Sequence, residues 1–74
     1  MSHRYTIILH PEEGRYWVSI PALPGCYTQG NTIPEAIARA QEAIQAYLES
    51  LRIDGEPIPE ETEHPQAITI DVAA

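Results

Sequence analysis

Thr32-Ile33-Pro34-Glu35-Ala36-Ile37-Ala38-Arg39-Ala40-Gln41-Glu42-Ala43-Ile44-Gln45-Ala46-Tyr47-Leu48-Glu49-Ser50-Leu51 is the stretch that decides the fold. It opens on a capping-box pattern, in which the Thr32 hydroxyl accepts from the Glu35 N–H and the Glu35 carboxylate reaches back. Pro34 sits in the first turn, where no intrahelical bond is lost. Apolar residues then recur at Ile33, Ala36, Ile37, Ala40, Ala43, Ile44, Tyr47, Leu48 and Leu51, one stripe held for about five turns. Glu35, Arg39, Glu42, Gln45, Glu49 and Arg52 populate the other side. The spacing predicts an amphipathic helix that must cover something.

What it covers lies on either side of it. Upstream, residues 5–10 and 15–20 are rich in β-branched and aromatic types and read as strands. Pro11-Glu12-Glu13-Gly14 between them reads as a hairpin turn, with proline stopping the ladder. Pro21-Ala22-Leu23-Pro24-Gly25 is a rigid connection, because two prolines fix φ and remove two donors. A short third strand fits Cys26 to Gln29. Downstream, residues 54–65 are rich in proline and acid and read as a loop. Residues 67–72, Ala-Ile-Thr-Ile-Asp-Val, alternate with period two and read as a last strand.

The predicted class is α+β, in the order β-β-β-α-β. Short connections make the first three strands an antiparallel meander. A right-handed helical crossover then places the fourth strand parallel to the first, at its free edge. Alternation puts Tyr5, Ile7, Leu9, Tyr16, Val18, Ile20, Cys26, Ile68, Ile70 and Val72 under the helix. Thr6, Ile8, His10, Trp17, Ser19, Tyr27, Gln29, Thr69 and Asp71 fall on the face that one helix cannot cover. Ile8, Trp17 and Tyr27 are the large apolar residues of that face, so they are the candidate partner or oligomer interface.

Bulk properties bound the function. Seventy-four residues suffice for one domain, spanning 1–74, with a thin core that self-assembly would reinforce, so a homo-oligomer of two or more copies is expected. Eleven acidic residues face four arginines and no lysine, for a net charge of −7, so polynucleotide is repelled and a basic protein partner is favoured. An acidic surface also simply keeps a small protein in solution. The lone Cys26 permits no internal disulfide, and no signal peptide is read at the start of the chain; a cytoplasmic setting is expected. No purely apolar run exceeds the three residues of Ile7-Ile8-Leu9, too short for a bilayer, so no membrane partner is expected.

Catalytic patterns are missing. His3, His10 and His64 share no ligand spacing with one another or with Cys26, so neither a metal nor another cofactor is expected. Cys26 has the parity of a packed thiol rather than a nucleophile. Two-metal nuclease chemistry needs several strand-held carboxylates, and only Asp71 lies in a predicted strand. The expectation is a protein that binds another protein and is not an enzyme.

From Tyr16-Trp17-Val18-Ser19-Ile20-Pro21-Ala22-Leu23-Pro24-Gly25-Cys26-Tyr27-Thr28-Gln29-Gly30-Asn31-Thr32 to Glu35-Ala36, the sequence resembles the HicB family of bacterial antitoxins. Gly55 with Ile58-Pro59 matches the family's segment after the helix. The resemblance implies a partial, catalytically dead ribonuclease H-like domain. It implies an antitoxin that masks a small, basic, histidine-dependent mRNA-cleaving toxin, HicA, and that is dimeric or higher. The chain resembles a short form, without the C-terminal DNA-binding domain that many relatives use to repress their own operon. The alternative reading is a solitary oligomeric HicB-like binding module with no toxin partner.

Overall fold

Glu13 and Gly14 both adopt positive φ, 49° and 80°, and this pair of left-handed residues makes a two-residue turn that matches strand twist. It joins β1, Ile8–Glu12, to β2, Arg15–Ser19, in a computed structural model that describes residues 3–74. The register runs from Ile8 opposite Ser19 to Glu12 opposite Arg15. Pro11 therefore does not stop the ladder as the sequence suggested; it lies within β1 opposite Tyr16. The exception is physical, because β1 is an edge strand, where a residue with no N–H to donate is tolerated.

Pro21–Gly25 resolves into two consecutive turns. The Leu23 N–H donates to the Ile20 carbonyl at 2.9 Å, and the Cys26 N–H donates to the Leu23 carbonyl at 3.0 Å. Pro24 and Gly25 are the central residues of the second turn, whose third position requires the positive φ that Gly25 supplies at 78°. Leu23, shared by both turns, points inward and is 1% exposed. The chain then enters β3, Tyr27–Gly30, which pairs antiparallel with β2 so that Ser19 faces Tyr27 and Trp17 faces Gln29. The sheet order is β1-β2-β3.

Helix α1 runs Ile33–Ile53. Thr32 caps it in extended conformation, its hydroxyl accepting from the Glu35 N–H at 3.2 Å. Only half of the expected capping box forms, since the Glu35 carboxylate turns to Arg39, 3.6 Å away. At the other end the Gly55 N–H donates to the Arg52 carbonyl and the Glu56 N–H to the Leu51 carbonyl. That pair of bonds satisfies two of the carbonyls a helix end leaves open.

The core lies between α1 and one face of the sheet: Val18, Ile20, Leu23, Cys26, Ala36 and Ala40 are buried. Tyr5, Ile7, Leu9, Tyr16, Ala43, Ile44, Tyr47 and Leu48 pack around them. Small residues dominate the helix side of this contact, so α1 rides close to β3. The Tyr47 hydroxyl donates to the Pro24 carbonyl at 2.9 Å and ties the helix to the double turn.

One expectation fails. Residues 67–72 form no strand, and Ile68, Ile70 and Val72 are 77%, 72% and 77% exposed rather than packed under the helix. The described sheet therefore has three strands, and the β-β-β-α-β order stops at β-β-β-α. The acidic loop is anchored to the residues that lead into β1. Pro59 accepts from the Tyr5 hydroxyl at 2.5 Å, and Glu61 accepts from the Thr6 N–H at 2.7 Å and its hydroxyl at 2.6 Å. Thr62, Glu63 and Pro65 then share a shallow depression with Pro21 and Ala22, past the end of β2.

Candidate functional site: the ring-bearing face of the sheet

Directly paired residues of an antiparallel sheet share a face, and the next face-mates are two residues along. Ile8, Ser19 and Tyr27 therefore make one row across the three strands, and His10, Trp17 and Gln29 make the next. This is the face opposite α1. Trp17 is 38% exposed and Tyr27 63%, while Ile8 is half-buried. The three residues singled out in the sequence thus lie on one sheet face.

The rows are interlocked. His10 stacks flat on Trp17, with centroids 3.6 Å apart and planes at 8°. Its Nε2 lies 3.0 Å from the Ser19 Oγ, which fixes the ring against the diagonal neighbour. Trp17 meets Tyr27 at 6.2 Å and 51°, a tilted geometry that suits the positive edge of one ring and the negative face of another. Aromatic side chains held this way lose little freedom when a partner covers them. Toward the hairpin, Glu12, Glu13 and Arg15 border a shallow depression with Trp17 and Gln29, so the ring cluster carries an acidic margin.

His10, which alternation places on this face, is the member of the cluster that residue type alone does not single out. The register holds the missing signal. A four-residue turn from Pro11 to Gly14 would set His10 against Arg15; the two-residue turn at Glu13-Gly14 sets it against Trp17.

Elsewhere the titratable groups are structural. Burial raises the Cys26 thiol above its usual pKa, as befits a packed side chain. Burial, reinforced by Glu60 and Glu61, raises the Tyr5 hydroxyl. Hydrogen bonds from the Thr6 hydroxyl and N–H, with a smaller contribution from His64, lower the Glu61 carboxyl to about 2. Among the described residues, no three His, Cys, Asp or Glu side chains converge to hold a metal ion. No described helix is long and apolar enough to cross a membrane.

Known proteins match this chain over most of its length. Residues 5–71 match the family described as HicB_like antitoxin of bacterial toxin-antitoxin system. A UPF0150 protein of Thermoplasma acidophilum is 53% identical over 57 residues, covering 76% of this chain and 83% of that protein. A UPF0150 protein of Synechocystis is 43% identical over 60 residues, covering 80% and 76%. Antitoxin HicB 1 of Photorhabdus laumondii is 44% identical over 57 residues, covering 76% of this chain but 37% of that longer protein. No solved structure matches. With the family pattern spanning residues 5–71, the chain belongs to the HicB-like antitoxin family of bacterial toxin–antitoxin systems.

Proposed function

We propose that this protein is an antitoxin that neutralises a small, basic, mRNA-cleaving toxin of the HicA type by covering it with the ring-bearing face, Ile8, Trp17 and Tyr27. Family membership supports an antitoxin role, and with it a toxin partner, in general terms. The observation that carries the finer reading is the exposure of Trp17 and Tyr27 side by side on the sheet face that α1 leaves bare. Tyr and Trp are the residues most enriched where binding energy concentrates. A net charge of −7 repels polynucleotide and draws a basic RNA-binding partner, so the antitoxin reaches the toxin and not its RNA. The chain acts by occupancy, without catalysis and without a cofactor, in the cytoplasm where mRNA is cleaved.

The reading predicts a small Lys/Arg-rich protein encoded beside this gene, and the test is co-expression with it, read as rescue of growth and as a co-purified complex. Replacing Trp17 and Tyr27 together by alanine should weaken the complex by about 30-fold or more, as loss of a hot-spot cluster does. The circular dichroism of the free protein should be unchanged. A complex of undiminished affinity would place the toxin on another surface.

A further inference from the structure

A partly apolar cleft beside α1 stands open, while an alternating apolar segment of the same chain stands exposed. Between the approach to β1 and the side of α1 lies an open cleft of about 740 Å³, whose apolar lining includes Tyr5, Ile7, Ile37, Ala40 and Ile44. Ile37 belongs to the apolar stripe of α1 yet is 42% exposed there, because nothing covers it. The cleft flanks residues 3–7, which lead into β1, and β1 is an edge strand. Residues 67–72 carry Ile68, Ile70 and Val72 at alternate positions, each more than 70% exposed. As a strand, six residues span about 20 Å and put those three side chains on one face.

The dimensions of the molecule agree. Its radius of gyration is 14.4 Å, against about 11 Å for a compact chain of this length. Its longest extent, 51 Å, exceeds the roughly 31 Å of α1. Ile68, Ile70 and Val72 do not line the cleft of their own chain.

We infer that the 67–72 segment of one copy adds to the β1 edge of a second copy, with Ile68, Ile70 and Val72 filling the cleft beside α1, and that the exchange is mutual. Each copy then closes the other's sheet. The exchange buries two apolar surfaces at once and pairs an edge that otherwise invites uncontrolled association. It uses the edge and helix side of the sheet, so the ring-bearing face stays open. The inference is thus independent of the toxin-binding proposal.

The experiment uses the full chain, with molar mass measured by light scattering during size exclusion at 10–100 µM (about the range in which small dimers form). Contacts are read by isotope-filtered NMR on a mixture of labelled and unlabelled protein. A dimer of 8.2 kDa chains is expected, with intermolecular contacts from Ile70 to Tyr5 and Ile37. Ile70→Asp, at an exposed position that the isolated fold does not use, should raise the dissociation constant at least tenfold with unchanged circular dichroism. Trp17→Ala should leave the dimer intact. A monomer across the concentration range overturns the inference, as do contacts confined to one chain. So does a dimer indifferent to Ile70→Asp, which would show assembly through another surface.

Discussion

A β-carbon built on Gly30 would lie 2.5 Å from the Ala36 nitrogen and 2.7 Å from its Cα, both backbone atoms that cannot rotate aside. Glycine is therefore what lets α1 approach β3 closely enough to bury Ala36 and Ala40, and Gly30→Ala must push the helix off the sheet. Overpacking of this kind costs about 3 kcal/mol, about a quarter or more of the roughly 4–11 kcal/mol expected for a chain this size. With a slope near 1 kcal/mol/M, the urea midpoint should fall by about 3 M. An unchanged midpoint would mean that the helix seat is softer than its geometry. Glu61 gives a second residue-scale prediction. Its carboxyl, held by the Thr6 hydroxyl and N–H, is lowered from 4.5 to about 2 on folding. A depressed folded-state pKa stabilises the native chain above pH 4.5, and that contribution drains away as pH falls toward 2. Wild type should exceed Glu61→Gln in urea midpoint at pH 7, and the gap should close between pH 4.5 and 2.5. A gap that is constant with pH would exclude the carboxylate as its source.

At the scale of elements, the hairpin shows both what sequence reveals and where it misleads. The helix, its Thr32 cap and the inward set Val18, Ile20 and Cys26 were legible, because periodicity and capping chemistry are local. The turn was misread by two residues, because Pro11 looks like a stop unless its strand is known to be an edge. Leu23 was passed over inside a proline-rich connection, and its burial follows from two back-to-back turns that no periodicity announces. Ile8, Trp17 and Tyr27 were legible by parity alone, whereas the His10–Trp17 stack required the register. Residues 67–72 were legible as a strand pattern, yet they form no strand in the structure, because period-two alternation specifies a face and not a partner. The turn also carries a prediction. Glu13 holds a left-handed φ of 49° where asparagine is favoured, so Glu13→Asn should stabilise by about 0.5 kcal/mol. That corresponds to a rise in Tm of roughly 2–4 °C. Glu13→Gln removes the same charge without the backbone preference and should not reproduce the gain. Equal gains from both would trace the effect to charge instead.

For the whole molecule, charge and rings act at different moments of an encounter. The net charge of −7, with no lysine anywhere in the chain, generates a field felt by a basic partner before contact, and salt shortens its reach to about 8 Å at physiological strength. In the proposed complex the exposed rings of Trp17 and Tyr27 would act only after docking, when they would lose water to the partner. The two contributions should therefore separate kinetically. Raising salt from about 50 to 500 mM should slow association with the toxin by an order of magnitude or more while dissociation changes little. Trp17→Ala should do the reverse, leaving the association rate within a few-fold of wild type and speeding dissociation by at least tenfold. Stopped-flow measurement of both rates for both proteins, across that salt range, resolves the matter. Were Trp17→Ala to slow association and leave dissociation untouched, the stack on His10 would be shaping the free protein rather than gripping the partner. The sheet face would then be scaffold, and the binding surface would lie elsewhere on the acidic exterior.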